Sequence, residues 1–424
     1  MSGRDGLRYG QCGQCPNAEA VCDGQCVNEQ VDKNHCGGCL GTCGAVCSAG
    51  QCVKPVSLAI SYDGAWAIMA DGTVRNWSDR ADNGSEFALP AADEPFDLRG
   101  AMQISDAGGH TCALDPAGTV RCWGDDGSGA LGDGMTDGYQ GTPVSVVGLT
   151  DVTAVAAGDS VQALGSSALS GHTCAIVSGG TVSCWGLNAS GQLGDGTMND
   201  SAVPGVVPGV VGAVAIAAGA SHTCALVSGG AVECWGLNDH GELGSGTTTT
   251  SARAVRVTGL AGAIAIAVGQ TDTDDPLEDN TPPGPEGEYT CALISGGTVR
   301  CWGVNQFGEL GNGTTVDATT PVTVTGISGA IAIAAGSRHA CALLSDGTVW
   351  CWGANDVGQL GNGTTTSSPT PVAVSGLSGA TAIAAGGDYT CVIAADGSVQ
   401  CWGLNGVNNG NALPQSFTPS PVLF

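Results

Sequence analysis

His339–Gly353 reads HACALLSDGTVWCWG, and its reading decides the fold. Two short apolar runs flank Ser345–Gly347, a turn of small and polar residues, so the stretch is a β-hairpin. It recurs with small changes at 110–124, 172–186, 222–236, 289–303 and 389–403, and a degenerate copy sits at Ala65–Ser78. The first cysteines of the six close copies, Cys112, Cys174, Cys224, Cys291, Cys341 and Cys391, are spaced by 62, 50, 67, 50 and 50 residues. A period near 50 with Gly-rich turns signals a propeller or a solenoid.

Each unit divides into four short β segments. In the sixth these are Ala330–Ala335 (AIAIAA), His339–Leu344 (HACALL), Thr348–Trp352 (TVWCW) and Pro371–Val374 (PVAV). Four antiparallel strands repeated seven times make an all-β, seven-bladed β-propeller. The first strand is small and uniformly apolar, as the crowded inner position requires. Helix signals are nearly absent. Ala202–Ala220 is apolar enough to resemble a membrane span, but Pro204, Pro208 and its glycines break it into strand, loop and strand.

The chain of 424 residues divides into a cysteine module, 1–54, and the propeller, 55–424. The module holds nine cysteines (Cys12, Cys15, Cys22, Cys26, Cys36, Cys39, Cys43, Cys47 and Cys52) without hydrophobic periodicity, so covalent staples are expected to hold it. Its two CxxC pairs also suit zinc, but dense surrounding cysteines favour disulfides. An odd count leaves one thiol over, for self-assembly through an intermolecular bond or none.

Within the propeller, Cys341 and Cys351 stand opposite each other across the hairpin turn. The same holds for Cys112 with Cys122, Cys174 with Cys184, Cys224 with Cys234, Cys291 with Cys301, and Cys391 with Cys401. Opposed antiparallel positions bring Cα atoms within disulfide range. Blade one has Trp66 and Asn76 instead, losing both cysteines together, as a bond predicts. Six hairpin disulfides place the chain in an oxidising compartment, extracellular or at the cell surface. Met1–Gly10 has no apolar core of a secretory signal, so a leader is expected to have been removed. The hairpin tryptophans Trp123, Trp185, Trp235, Trp302, Trp352 and Trp402 fall on the opposite strand face, for packing between blades.

The formal charge of −27 argues against a nucleic-acid footprint and against anionic membranes. His110, His172, His222 and His339 share one repeat position, filled elsewhere by Tyr289 and Tyr389. A ring of imidazoles suits a metal, but tyrosine does not, so a hydrogen bond at the strand start is expected. No catalytic elbow, zinc helix or phosphate loop occurs, which reads as no enzyme.

Two irregular units carry long loops between first and second strands. One is Gly158–Gly171 (GDSVQALGSSALSG). The other is Gln270–Glu288, with Asp272, Asp274, Asp275, Glu278, Asp279, Glu286 and Glu288 and no basic residue. Same-position loops leave one face of a ring, and long loops there serve partner docking, Ca²⁺ binding or plain solvation. No EF-hand pattern is present, and no other cofactor or metal site is expected.

HTCAL, GTV, CWG, GQLGNGT and PV resemble the repeat of the regulator-of-chromosome-condensation propeller family. Leu187–Thr197 and Ala354–Thr364 are similar to its linking loop, over a resemblance spanning 55–424. Gly406–Ser416 departs by losing the QLGxG element. In such rings the last strand can close blade one, and Pro421–Leu423 beside Pro55–Leu58 is the candidate. Cys22–Cys52 resembles the module of stigma-specific secreted proteins, similar to modules of bacterial surface proteins in myxobacteria, which implies an extracellular setting. The family alone would imply nucleotide exchange on a nuclear GTPase, which paired cysteines and acidity oppose. The expected function is a secreted or surface-displayed scaffold binding an extracellular protein or glycan through one face. The alternatives are a structural subunit of an extracellular assembly, or an inhibitor of a secreted enzyme, for which Tyr139 and Phe307 would be the exposed aromatics.

Overall fold

The computed structural model describes residues 20–22, 25–27, 46–48, 51–61, 64–78, 98, 100–158, 171–269, 288–404 and 416–422. Among them there is no helix; six sheets have four strands and one has three, all antiparallel. Blade one is Pro55–Ile60, Gly64–Met69 and Val74–Ser78, and blade six is Ala330–Ala335, His339–Leu344, Val349–Gly353 and Ser368–Ala373. Two small hairpins, Ala20–Cys22 with Gln25–Val27 and Val46–Ser48 with Gln51–Val53, precede the ring. The pairing of the nine N-terminal cysteines lies outside the described residues.

The first strands form the inner wall. Each touches the first strand of the next blade, and Pro55–Ile60 touches both Gln103–Asp106 and Ala380–Gly386, so the circle is closed. Alanine at alternate positions permits this crowding. In blade six the register slips between Ala330 and Ala332, which makes Ile331 a bulge residue, 55% exposed. Val56, Met102, Val214 and Ile264 hold the equivalent place in their blades and are exposed too. Five apolar side chains therefore stand around one mouth of the axis.

Among the described residues, closure does not use an exchanged strand. Pro421–Leu423 is the partner that the sequence suggests for blade one, but Ser416–Pro421 pairs with Val399–Gly403 of its own blade, Gln400 opposite Pro421. Every described blade is thus built from contiguous chain. The ring is sealed by packing of Ile60 and Ala65 against the Cys391 and Cys401 cluster, and by the Tyr389 hydroxyl, which donates to Gly64 O at 2.8 Å. Strand exchange adds nothing when the first and last blades already bury complementary apolar faces.

All six expected hairpin disulfides are present: Cys112 with Cys122, Cys174 with Cys184, Cys224 with Cys234, Cys291 with Cys301, Cys341 with Cys351, and Cys391 with Cys401. Their Cα atoms are 4.0–4.1 Å apart, the narrow spacing of a cross-strand pair without mutual backbone bonds. The bridges among the described residues lie within the propeller repeats, not in the N-terminal module that the cysteine count singles out. Five of them pack against the next blade's tryptophan. Cys112 and Cys122 share a cluster with Trp185, and Cys174 and Cys184 with Trp235. Cys224 and Cys234 meet Trp302, Cys291 and Cys301 meet Trp352, and Cys341 and Cys351 meet Trp402. Cys391 and Cys401 close on Ile60 and Ala65 instead. In blade one Trp66 takes the disulfide's place and meets Trp123 edge to face, centroids 5.5 Å apart. Its indole N–H donates to Asp106 Oδ2 at 3.1 Å. An indole fills the volume that a bridge fills elsewhere.

Candidate interaction face

In each blade the first and third strands run the same way, so the loops after them emerge on one face. Both long insertions leave that face. Residues 159–170 and 270–287, including Asp272, Asp274, Asp275, Glu278, Asp279 and Glu286, lie outside the described residues. Glu288 does not belong to a solvent loop: it is 1% exposed and sits between blades four and five.

The loop after the third strand is stapled from within. Buried Asn305 accepts the Leu310 N–H on Oδ1 at 2.9 Å, while its amide donates to the carbonyls of Thr314 at 3.1 Å and Val316 at 2.9 Å. Asn188, Asn238 and Asn355 make the same bonds. An amide is suited because it accepts with one end and donates with the other. Gly311 ends the staple at φ +61°, where a Cβ would stand 2.9 Å from the Trp352 ring. That ring in turn donates its N–H to Glu309 O at 2.7 Å. Trp185, Trp235, Trp302 and Trp402 donate alike to Ala130, Gln192, Glu242 and Gln359. The tryptophans are inter-blade packing, as their strand face implied.

The histidine position also bridges blades, and is not a local bond at the strand start. His110 Nε2 lies 2.8 Å from Thr173 Oγ1, and Thr173 gives its own proton to Ala130 O at 2.9 Å, so the imidazole donates. His172 meets Thr223, His222 meets Thr290, and His339 meets Thr390. Where the next blade has alanine at the threonine position, a tyrosine replaces histidine. Tyr289 faces Ala340's blade and donates to the carbonyls of Gly336 and His339; Tyr389 faces Ala65's blade. The longer phenol reaches backbone where no hydroxyl is available. This alternation is visible in the repeats (His before a blade with Thr, Tyr before a blade with Ala at the next position), but only across units, not within one.

Burial keeps these rings neutral, pushing His110 down to about 4 and His172 and His339 to about 3. His222 differs. Its Nε2 donates to Thr290, whose proton goes to Glu242 O, and its Nδ1 contacts Glu288 Oε2. Glu288 Oε1 accepts the Ser221 N–H at 2.6 Å. Among the described residues no group of three or more His, Cys, Asp or Glu is placed to hold a metal ion.

Further round the ring the face opens to solvent. Arg338 ion-pairs with Asp388 at 2.7 Å and Asp356 at 3.3 Å, and its guanidinium lies 5.4 Å from the Phe307 ring centroid. The Gln359 amide ties Asp356 to Asp388, at 3.1 Å to each. Phe307 is 40% exposed and Tyr139, on the same face, 54%. Glu309, beneath Phe307, accepts that residue's N–H at 2.8 Å and is pushed up to about 7, mainly by burial. Arg338, Asp388 and Gln359 escape a reading of the sequence because the first two stand where other repeats have Gly or Ser, and the third falls in loop consensus.

Residues 179–226, 296–343 and 346–393 match the Regulator of chromosome condensation (RCC1) repeat, and 213–242, 330–359 and 380–410 match a second model of that repeat. The structure is similar to that of Prp20p from Saccharomyces cerevisiae at 22% identity, covering 77% of this chain and 78% of that one with a TM-score of 0.63. Yeast RCC1 (Prp20) solved bound to Kap60 matches at 21% identity, 77% and 76% coverage and a TM-score of 0.62. Human WBSCR16 matches at 19%, 76% and 82%, also with 0.62. At these identities the likeness is one of fold: an RCC1-like propeller.

Proposed function

We propose that the chain is a secreted or surface-displayed, non-enzymatic interaction scaffold whose insertion-bearing face engages an extracellular protein or glycan. The observation that carries this reading is the Arg338–Phe307 stack beside Asp356, a partly exposed arginine–aromatic pairing of the kind that anchors interfaces, on the face from which both long loops leave. The six buried disulfides support an oxidising setting. Among the fold neighbours, Prp20p is described by its binding to Gsp1p and histones, protein partners of a propeller of this shape.

Capture from native extracellular material tests it with the full chain, Phe307→Ala, and a deletion of 271–286 that spares buried Glu288. Phe307→Ala is expected to lower recovery of the partner about 30-fold, the weight of an interface hot spot, with thermal midpoint unchanged. Undiminished recovery by both variants would remove this face from the function.

A second reading, a structural subunit, is favoured by the exposed ring of Val56, Met102, Val214, Ile264 and Ile331 at the opposite mouth. It expects concentration-dependent sedimentation that Ile264→Asp with Ile331→Asp abolishes. A monomer at all concentrations rejects it.

A further inference from the structure

Two buried carboxylate oxygens of the insertion-bearing face, Asp126 Oδ2 and Glu242 Oε1, have no hydrogen-bond partner. Each stands where other repeats carry an amide nitrogen that donates. Asp126 occupies the staple position of Asn188, Asn238, Asn305 and Asn355; its Oδ1 accepts the Leu131 N–H at 3.0 Å, as those asparagines do. The other oxygen faces the place from which an asparagine amide would donate to the carbonyls nine and eleven residues on. Glu242 occupies the position of Gln192 and Gln359, with Oε2 accepting the His240 N–H at 2.9 Å, as Gln359 Oε1 accepts that of Val357. In Gln359 the remaining nitrogen donates to Asp388, the residue before the next blade's second strand. The residue there for Glu242 is Glu288, a second buried carboxylate already engaged by His222 and Ser221.

We propose that Asp126 and Glu242 are held in the folded ring as protonated acids, each supplying as an O–H the donor that the repeat otherwise takes from an amide. Both are fully buried by surface area, at 0% exposure. Their charged forms each leave one oxygen without hydration and without a donor, whereas their neutral forms complete the staple and remove a like-charge encounter. The surrounding charges agree. Asp126 faces Asp125, Asp133 and Asp137 and is pushed up to about 6, first by burial. Glu242 faces His222 and Glu288 and is raised, again first by burial. Glu309, at the same loop position one blade on, is pushed up too, to about 7 and first by burial, with Arg338 drawing it partly back from the place that Glu288 takes beside Glu242.

A carboxyl raised on folding stabilises the ring at low pH, and that contribution is lost as pH rises through its folded value, here about 6 for Asp126. Buried neutral His110, His172 and His339 act oppositely, costing stability as pH falls below their ordinary range. The readout is therefore the difference between variant and parent, in which the histidines cancel. Denaturant unfolding of the full chain is compared with Asp126→Asn and Glu242→Gln at pH 8 and pH 5. Each variant is expected to lower the unfolding equilibrium constant about tenfold at pH 8. The advantage of Asp126→Asn should shrink about tenfold by pH 5, one pH unit below its folded value.

The reverse change, Gln359→Glu, sets a carboxyl against Asp388 and should create the same dependence with opposite sign. Variants that weaken the protein at pH 8, or an advantage independent of pH, overturn the proposal. So does stabilisation of the parent by Ca²⁺ at pH 8 that Glu242→Gln abolishes, since a cation would then fill the place assigned to the proton.

Discussion

Chain that has been reduced in denaturant and then returned to buffer without an oxidant is expected to remain unfolded. Each bridge closes a loop of sequence separation 10. The chain-entropy estimate gives about 2.7 kcal/mol for such a loop. The six loops do not overlap, so their contributions add to on the order of 16 kcal/mol, against about 5–15 kcal/mol for the net stability of a folded domain. The same bridges should resist reductant in native buffer, because all twelve sulfur-bearing side chains, from Cys112 and Cys122 to Cys391 and Cys401, are at most 2% exposed. Circular dichroism after refolding, with thiols counted, measures both halves. A reduced chain that regains the ring with its original midpoint would show that packing alone suffices. Blade one makes that outcome conceivable for a single unit, since Trp66 against Trp123 replaces a bridge there by an aromatic contact, but not for six at once.

Trp352→Ala is expected to cost about 3–5 kcal/mol, the range for emptying a buried aromatic site. The indole is fully buried in the cluster formed with Cys291, Cys301 and Leu310 of blade five, and its N–H satisfies Glu309 O. Trp352→Phe separates the two contributions. It retains most of the ring but leaves the Glu309 carbonyl unpaired, which should cost about 1–3 kcal/mol. The site is rigid on both sides: Gly311 lies against the ring so closely that a Cβ would not fit, and the disulfide cannot collapse into the space. Denaturant midpoints of the two variants decide it. A loss below about 1 kcal/mol for the alanine variant, well under the usual range, would mean that neighbouring blades relax into the cavity.

The stability of each blade therefore depends on its neighbour, as in other repeat arrays. A bridge from one blade, a tryptophan from the next, and a histidine-to-threonine bond above them recur as one interface round the ring. The face above this interface is where the repeat is broken. Glu288, Arg338 and Asp388 replace small residues there, and charge enters an otherwise neutral seam.

Blade count, the hairpin pairing of Cys341 with Cys351 and its equivalents, and the packing face of the tryptophans are legible in His339–Gly353 and its copies. Those features are local: a ten-residue hairpin fixes which side chains are opposite and which alternate, and repetition multiplies the signal. Partners across blades are not legible, because a sequence unit says nothing about which unit's loop covers it. Only the closed ring sets His110 against Thr173, puts Tyr389 on Gly64, and completes blade seven with its own last strand. Only the ring buries Glu288, which composition places in an acidic loop. Desolvation and pairing are properties of what surrounds a group in space, and for Asp126, Glu242 and Glu288 that surrounding comes from the packed interface, not from adjacent sequence.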